Sequence, residues 1–218
     1  MKIISNHQYI PFGPYLAKMD VDLEFCTRLL KLGKTLTKMK QLIDPTTKQA
    51  QDAGNIRVAH FYDVEKDTWI EKEVKVWVNT WITGYKQFSE NPNFELKFKL
   101  NSLWMNVQNA GEYNPVHIHP GSNLSFVLYL EVPEEMLKEK GDTRGIPPGY
   151  TGFMYGEHSD IFWAVSHRSI RPKVGGLLMF PSNLRHYASH FNSKVIRTSV
   201  SGDIMFTSIT NQGITEVK

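Results

Sequence analysis

The chain has 218 residues, of which 41% are hydrophobic, and a formal net charge of +3. This size and composition predict a globular protein with one sizeable core. The small charge gives no strong nucleic-acid signal, and no apolar stretch approaches the roughly 18 residues that indicate a membrane span. The single cysteine, Cys26, excludes a disulfide within the chain and favours a reducing, cytoplasmic location.

Two stretches in the first 93 residues have the spacing of amphipathic helices, with apolar residues recurring at steps of three and four. The first contains Phe25, Leu29, Leu32, Leu36 and Met39, and the second contains Val74, Val78, Trp81, Tyr85 and Phe88. Asp20 is the predicted N-cap of the first helix. The run Asn91-Pro92-Asn93 is expected to end the second helix.

The pattern changes to that of strands at Phe94. Apolar and charged residues alternate from 94 to 100, as in a half-buried strand, and shorter apolar runs follow at 103–107, 124–132, 150–155, 161–165, 175–181 and 195–206. If the first strand runs on unbroken, Trp104 and Asn106 share the core-facing side of Phe94 and Leu100. Two helices followed by many short strands predict an α+β protein, an antiparallel barrel or jelly roll backed by helices.

These elements predict a single domain over residues 1–218. Residues 1–93 would be its helical support and residues 94–210 its jelly-roll core. Residues 133–149 interrupt the succession of strands with a charged segment between prolines. A segment of this length is either a lid over a binding site or a solvated insertion.

Three histidines stand out in the predicted strand region. His117 and His119 lie one residue apart, so on a strand their side chains point to the same face. They follow turn residues at 111–115, which predicts that a strand begins there, at the rim of the barrel. His186 comes 67 residues later, after the apolar run 175–181. Each histidine alone is an ordinary residue, but together they form a ligand set for iron or another first-row metal.

Arg197 and Ser199 share one face of the last long strand. If Arg197 points inward it needs a partner, because an unpaired buried charge is costly, and a dicarboxylate ligand would satisfy it. Taken alone, the pair is more simply interpreted as an exposed arginine on an edge strand. An inward Asn106 would bind either a carboxylate ligand or other core residues.

Together these residues resemble the 2-oxoglutarate/Fe(II)-dependent oxygenases, most closely the branch common in bacteriophages and marine bacteria. The resemblance covers roughly residues 100 to 206. It is carried by five motifs: Trp104-Met105-Asn106, Asn114-Pro115-Val116-His117-Ile118-His119-Pro120, the strand Leu124 to Leu130 with Ser125 and Tyr129, Phe180-Pro181-Ser182 before His186, and Arg197-Thr198-Ser199.

The resemblance implies a double-stranded β-helix (jelly roll) with Fe(II) as cofactor and 2-oxoglutarate as cosubstrate. His117, His119 and His186 would hold the iron. Arg197 and Ser199 would bind the distal carboxylate of 2-oxoglutarate, and Asn106 or Tyr129 would bind or orient its other end. Such a protein is a hydroxylase that couples 2-oxoglutarate decarboxylation to oxidation of a substrate, in the host cytoplasm if the chain is phage-encoded.

One position departs from the wider superfamily, whose metal ligands are two histidines and one carboxylate. His119 stands where the carboxylate is expected. The site is therefore a working three-histidine centre, a site in which Glu112, Asp142 or Asp160 is the ligand instead, or a metal site without turnover. Two other functions also remain: a three-histidine dioxygenase that does not use 2-oxoglutarate, and a non-catalytic jelly-roll binding or virion protein.

Overall fold

The computed structural model describes residues 13–43, 56, 58–140, 146–156 and 165–211. Three helices occur in this part of the chain: α1 (Leu23–Ile43), α2 (Thr68–Phe88) and α3 (Glu134–Leu137). The ten strands are β1 (Ala17–Asp20), β2 (Val58–Phe61), β3 (Phe94–Gln108), β4 (Asn114–His117), β5 (Leu124–Glu131), β6 (Thr151–Met154), β7 (His167–Ile170), β8 (Gly176–Pro181), β9 (Arg185–Ala188) and β10 (Arg197–Asn211). Among the described residues, no helix combines the length and the hydropathy of a membrane span.

The strands form two sheets with antiparallel pairing throughout. The larger sheet has six strands in the order β1-β8-β5-β10-β3-β2, and the smaller has four in the order β4-β9-β6-β7. The two sheets pack through a small apolar cluster in which the rings of Phe153 and Phe180 lie 4.9 Å apart. The expected mostly-β architecture of antiparallel sheets backed by helices is confirmed.

The main hydrophobic core lies between the six-stranded sheet and the two long helices. Leu29 of α1 and Val78 of α2 are fully buried there against Val200 and Ile204 of β10. The rings of Trp77 and Phe126 meet edge to face with centres 5.5 Å apart. The helices thus cover one face of this sheet, and the opposite face is turned toward the smaller sheet.

The start of α1 corrects one expectation. Asp20 is the last residue of β1, where it forms an ion pair of 2.8 Å with Lys173. The side chain of Asp22 accepts the Phe25 backbone N–H at 3.0 Å and so caps the helix. Asp22 is adjacent to the first helical residue, which allows its carboxylate to reach the exposed N–H groups of the first turn.

A β-bulge in β3 corrects another. Asp203 of β10 pairs with Ser102, but the next residue, Ile204, pairs with Leu100, so Asn101 is an extra residue in β3. One extra residue reverses which side chains face which side of a sheet. Leu100 and Leu103 therefore both pack toward the helices. The expectation that Trp104 and Asn106 share the face of Phe94–Leu100 is wrong, because both line the pocket on the opposite side.

The two described ends of the charged segment 133–149 pack against each other. Residues 134–137 form α3, in which Met136 is fully buried and packs against Gly149. Residues 141–145, with the candidate ligand Asp142, lie outside the described residues, as do Asp160 and most of the predicted strand 161–165.

Candidate metal and cosubstrate site

A pocket opens between the two sheets, on the face of the larger sheet away from the helices. It is bordered by alternate residues of β10, by the second half of β3 and by β4, β6 and β9. Its polar lining consists of Asn106, Asn114, His117, His119, Thr151, His186, Tyr187, Arg197, Ser199, Ser201 and Asp203. Val200 and Ile204 are buried in the core on the other face of the sheet. Because side chains alternate along a strand, the odd-numbered residues of β10 from 197 to 203 face this pocket.

The three predicted histidines come together in this pocket. His117 on β4 is paired with His186 on β9, and their ring centres are 4.2 Å apart. His119 lies two residues beyond the end of β4. The strand therefore ends at His117, whereas a strand was expected to begin at His117 and His119. The Nε2 atoms of His119 and His186 are 3.1 Å apart. One ligand nitrogen from each of the three rings lies within 4.8 Å of the others, close enough to hold one metal ion.

The second nitrogen of each ring has an oxygen partner. Nδ1 of His117 lies 2.7 Å from the Pro115 carbonyl oxygen, and Nδ1 of His186 lies 2.9 Å from the Leu184 carbonyl oxygen. A carbonyl oxygen can only accept, so these Nδ1 atoms carry the proton and Nε2 has the lone pair. Such outer partners fix the orientation of a metal-binding imidazole and its tautomer.

His186 is also held in its neutral form. The ring is buried, and burial together with the neighbouring His117 lowers the pKa of His186 to about 3. A metal ion binds the neutral imidazole. His186 is therefore ready to act as a ligand across the ordinary pH range.

The carboxylate nearest the histidines was missed in the sequence. Asp203 lies with Oδ1 and Oδ2 at 3.0 and 3.2 Å from Nδ1 of His119, and it also accepts a hydrogen bond of 2.7 Å from the Ser125 hydroxyl. Its position at steps of two from Arg197 and Ser199 was the available signal. Glu112, by contrast, accepts the backbone N–H of Asn109 at 2.8 Å and is not part of the histidine cluster.

Arg197 is buried, with 3% of its surface exposed, so its interpretation as an exposed edge residue is wrong. One guanidinium nitrogen donates to the Gly149 carbonyl oxygen at 2.8 Å, and the guanidinium carbon is 5.8 Å from the centre of the Tyr129 ring. Burial lowers the pKa of Arg197. No carboxylate pairs with it among the described residues, and its buried Nε has no partner there.

Three other predicted residues surround Arg197 or line the same pocket. Ser199 is buried and faces the pocket two residues along β10. The Asn106 amide donates to the Ser201 hydroxyl at 3.0 Å. Tyr129 lies beneath the guanidinium and does not line the pocket itself; its hydroxyl is hydrogen-bonded to Thr151, which does. Thr151 was not recognised in the sequence, where no motif marks it.

Comparison with known proteins supports the resemblance seen in the motifs. Residues 102–203 match the family described as "Putative 2OG-Fe(II) oxygenase". Every predicted site residue lies within this match, and the resemblance seen in the motifs is confirmed. No curated protein matches the chain.

Solved structures with the same fold include hydroxylases and an epimerase. The viral collagen prolyl hydroxylase of Paramecium Bursaria Chlorella virus-1 is 14% identical, with a TM-score of 0.54 over 88% of this chain and 96% of that one. A Pseudomonas putida prolyl-4-hydroxylase is 11% identical (TM-score 0.51, 88% and 93% covered). The α-ketoglutarate-dependent epimerase SnoN of nogalamycin biosynthesis is 13% identical (TM-score 0.58, 92% and 82% covered). At these identities the likeness shows the fold, and the expected jelly roll is confirmed.

Proposed function

We propose that this protein is an Fe(II)- and 2-oxoglutarate-dependent oxygenase that hydroxylates its substrate. One observation carries the proposal: three convergent histidines and a buried arginine without a carboxylate partner among the described residues line the same pocket. The three histidines suit a metal ion, and the arginine suits an anion beside that ion. The family match over residues 102–203 supports the same class.

The residues fit a metal ion. Bonds from a first-row metal such as zinc to histidine are about 2.0–2.1 Å, so two ligands at a right angle lie about 3 Å apart. The Nε2 atoms of His119 and His186 are 3.1 Å apart. His117 would be the third ligand, with its tautomer set by the Pro115 carbonyl. The three histidines would hold the metal at the pocket, where it would supply binding and activation of further ligands.

The residues also fit 2-oxoglutarate. Arg197 would pair with the distal carboxylate of the cosubstrate, which would give its buried charge a counterion. Ser199 would add a hydroxyl hydrogen bond. Asn106 would contact the end near the metal, and Tyr129 would keep the guanidinium in place from below. Among proteins with this fold, the viral prolyl hydroxylase has been solved as a 2-oxoglutarate complex and SnoN with Fe3+ and α-ketoglutarate.

Iron and 2-oxoglutarate would supply the oxidation: one oxygen atom of O2 enters the substrate, the other enters succinate, and CO2 leaves. The protein supplies position and exclusion of water. Trp104 lies over the His119 ring, with ring centres 5.6 Å apart and planes 27° apart. The rings of Phe180 and Phe153 lie 4.6 and 6.1 Å from the His186 ring, centre to centre. A cytoplasmic location, suggested by the single cysteine, is part of the same proposal.

An anaerobic absorption spectrum of the protein with Fe(II) and 2-oxoglutarate tests the assignment. A weak visible charge-transfer band that needs both additions is expected, and succinate should form when O2 is admitted. Arg197→Ala is the matched control, which should keep the metal and lose the band at moderate 2-oxoglutarate concentration. Metal binding without the band would favour the three-histidine dioxygenase, and no metal binding would favour the non-catalytic protein.

A further inference from the structure

We propose that Asp203 is a positioning residue that acts on the metal through His119 and supplies the negative charge of the absent carboxylate ligand. The inference rests on the proposed metal site. It concerns a residue that the sequence motifs did not single out, on the strand that also carries Arg197.

The contact between Asp203 and His119 is close and buried. Both carboxylate oxygens lie within 3.2 Å of Nδ1 of His119, and only 9% of Asp203 is exposed. An ionised carboxylate accepts hydrogen bonds only, so Nδ1 of His119 carries the proton. The Nε2 atom on the other side of the ring is 3.1 Å from Nε2 of His186. The aspartate therefore lies on the opposite side of the imidazole from the ligand cluster.

The surrounding strands hold this carboxylate in place. Asp203 is paired with Ser125 on β5 and with Ser102 on β3. The Ser125 hydroxyl donates to Oδ1 at 2.7 Å and also contacts the Ser182 hydroxyl at 2.8 Å. The Ser182 carbonyl oxygen accepts the backbone N–H of His119 at 2.9 Å. One network thus fixes both the ring and the backbone of His119.

This arrangement would compensate for the missing negative charge of a three-histidine site. A neutral triad leaves the metal one charge more positive than two histidines and a carboxylate. A carboxylate hydrogen-bonded to the far nitrogen of a ligand histidine fixes its tautomer and makes it a stronger donor. Such outer partners typically change metal affinity by about ten- to one-hundredfold. His119, which stands at the carboxylate position, has a carboxylate on Nδ1, and Nδ1 of His117 and of His186 each lies against a backbone carbonyl oxygen.

The test is a double-mutant cycle on Mn(II) affinity, measured at one pH by electron paramagnetic resonance. Asp203→Asn keeps the size of the side chain and removes its charge, and should weaken Mn(II) binding about ten- to one-hundredfold. In a His119→Asp background, where the ligand is itself a carboxylate, the same change should leave Mn(II) affinity unchanged or improve it. Equal losses of Mn(II) affinity in both backgrounds would mean that Asp203 only stabilises the sheet, and would overturn the proposal.

Two controls keep the outcome clear. Glu131→Gln removes a carboxylate from the adjacent strand, where it pairs with Lys34 at 2.6 Å and accepts from Thr198, and should leave Mn(II) affinity within about twofold. Asp203→Ser provides a second uncharged variant if Asp203→Asn does not fold, with the same expected loss. If wild type binds no Mn(II), the proposed function fails as well. If wild type binds it and Asp203→Asn binds equally, only the role of Asp203 fails.

Discussion

His117 and His186 occupy paired positions on β4 and β9, with ring centres 4.2 Å apart. The pairing joins two segments of the chain that are 69 residues apart, and the hydrogen bonds of the smaller sheet fix the distance between the two rings. The proposed metal site thus depends on strand register, which an alanine in place of either ring would not disturb.

His117→Ala or His186→Ala should abolish stoichiometric Fe(II) binding, because two histidines alone leave the metal with too few protein ligands. Metal content after anaerobic loading and desalting measures this, with circular dichroism to verify the fold. His190→Ala, which removes an exposed histidine near β9, is the matched control and should bind the metal like wild type. Full iron content in both site variants would contradict the assignment.

His119→Asp should keep or tighten metal binding, since it restores two histidines and one carboxylate. Isothermal titration with Mn(II) measures the change in dissociation constant. His119→Ala serves as the comparison and should bind at least about tenfold more weakly than wild type, in line with loss of a metal ligand or its support. If His119→Asp binds as poorly as His119→Ala, the geometry of the imidazole and its bond to Asp203 decides affinity, and the charge does not.

Arg197→Ala should weaken 2-oxoglutarate binding at least about tenfold, because charge-assisted hydrogen bonds contribute about 1.5–3 kcal/mol each. Arg197→Lys should recover only part of the affinity, because a point charge replaces a planar fork. Calorimetry with Mn(II) present gives both values. Metal affinity should survive in both variants, and Arg185→Ala, an exposed arginine on β9, should behave like wild type. Equal 2-oxoglutarate affinity in wild type and Arg197→Ala would remove the basis for this cosubstrate.

Gly202→Ala should destabilise the fold by about 1–3 kcal/mol through overpacking. A Cβ atom at Gly202 would lie 2.5 Å from the end of the Phe126 ring and 3.0 Å from a Leu103 methyl group, on the helix-covered face of the sheet. Urea unfolding measures the loss. Ser208→Ala, on the exposed end of the same strand, should change stability by less than about 0.5 kcal/mol. A Gly202→Ala variant as stable as wild type would show that the core there can adjust.

The one-residue spacing of His117 and His119 and the family resemblance together predicted the histidine cluster. The inward Arg197 was implied by the resemblance alone, because the spacing of Arg197 and Ser199 does not settle which face of the strand is buried. The two-residue repeat of a strand misled the interpretation of β3, since a single bulged residue at Asn101 carries no recognisable sequence signal. Asp203 was missed for a different reason. Its role depends on a contact with His119, 84 residues away in the chain, and local patterns do not report such contacts. Thr151 was missed for the same reason.

The bulge at Asn101 gives β3 one residue more than its pairing with β10 requires. Phe94–Leu100 contribute to the core on one side of the bulge, and Trp104 and Asn106 reach the pocket on the other. Without Asn101, Leu100 and Leu103 would be two residues apart in a regular strand, and both sets of side chains would keep their present faces. In a library of variants, deletion of Asn101 should therefore be accepted far better than deletion of its buried neighbour Leu103.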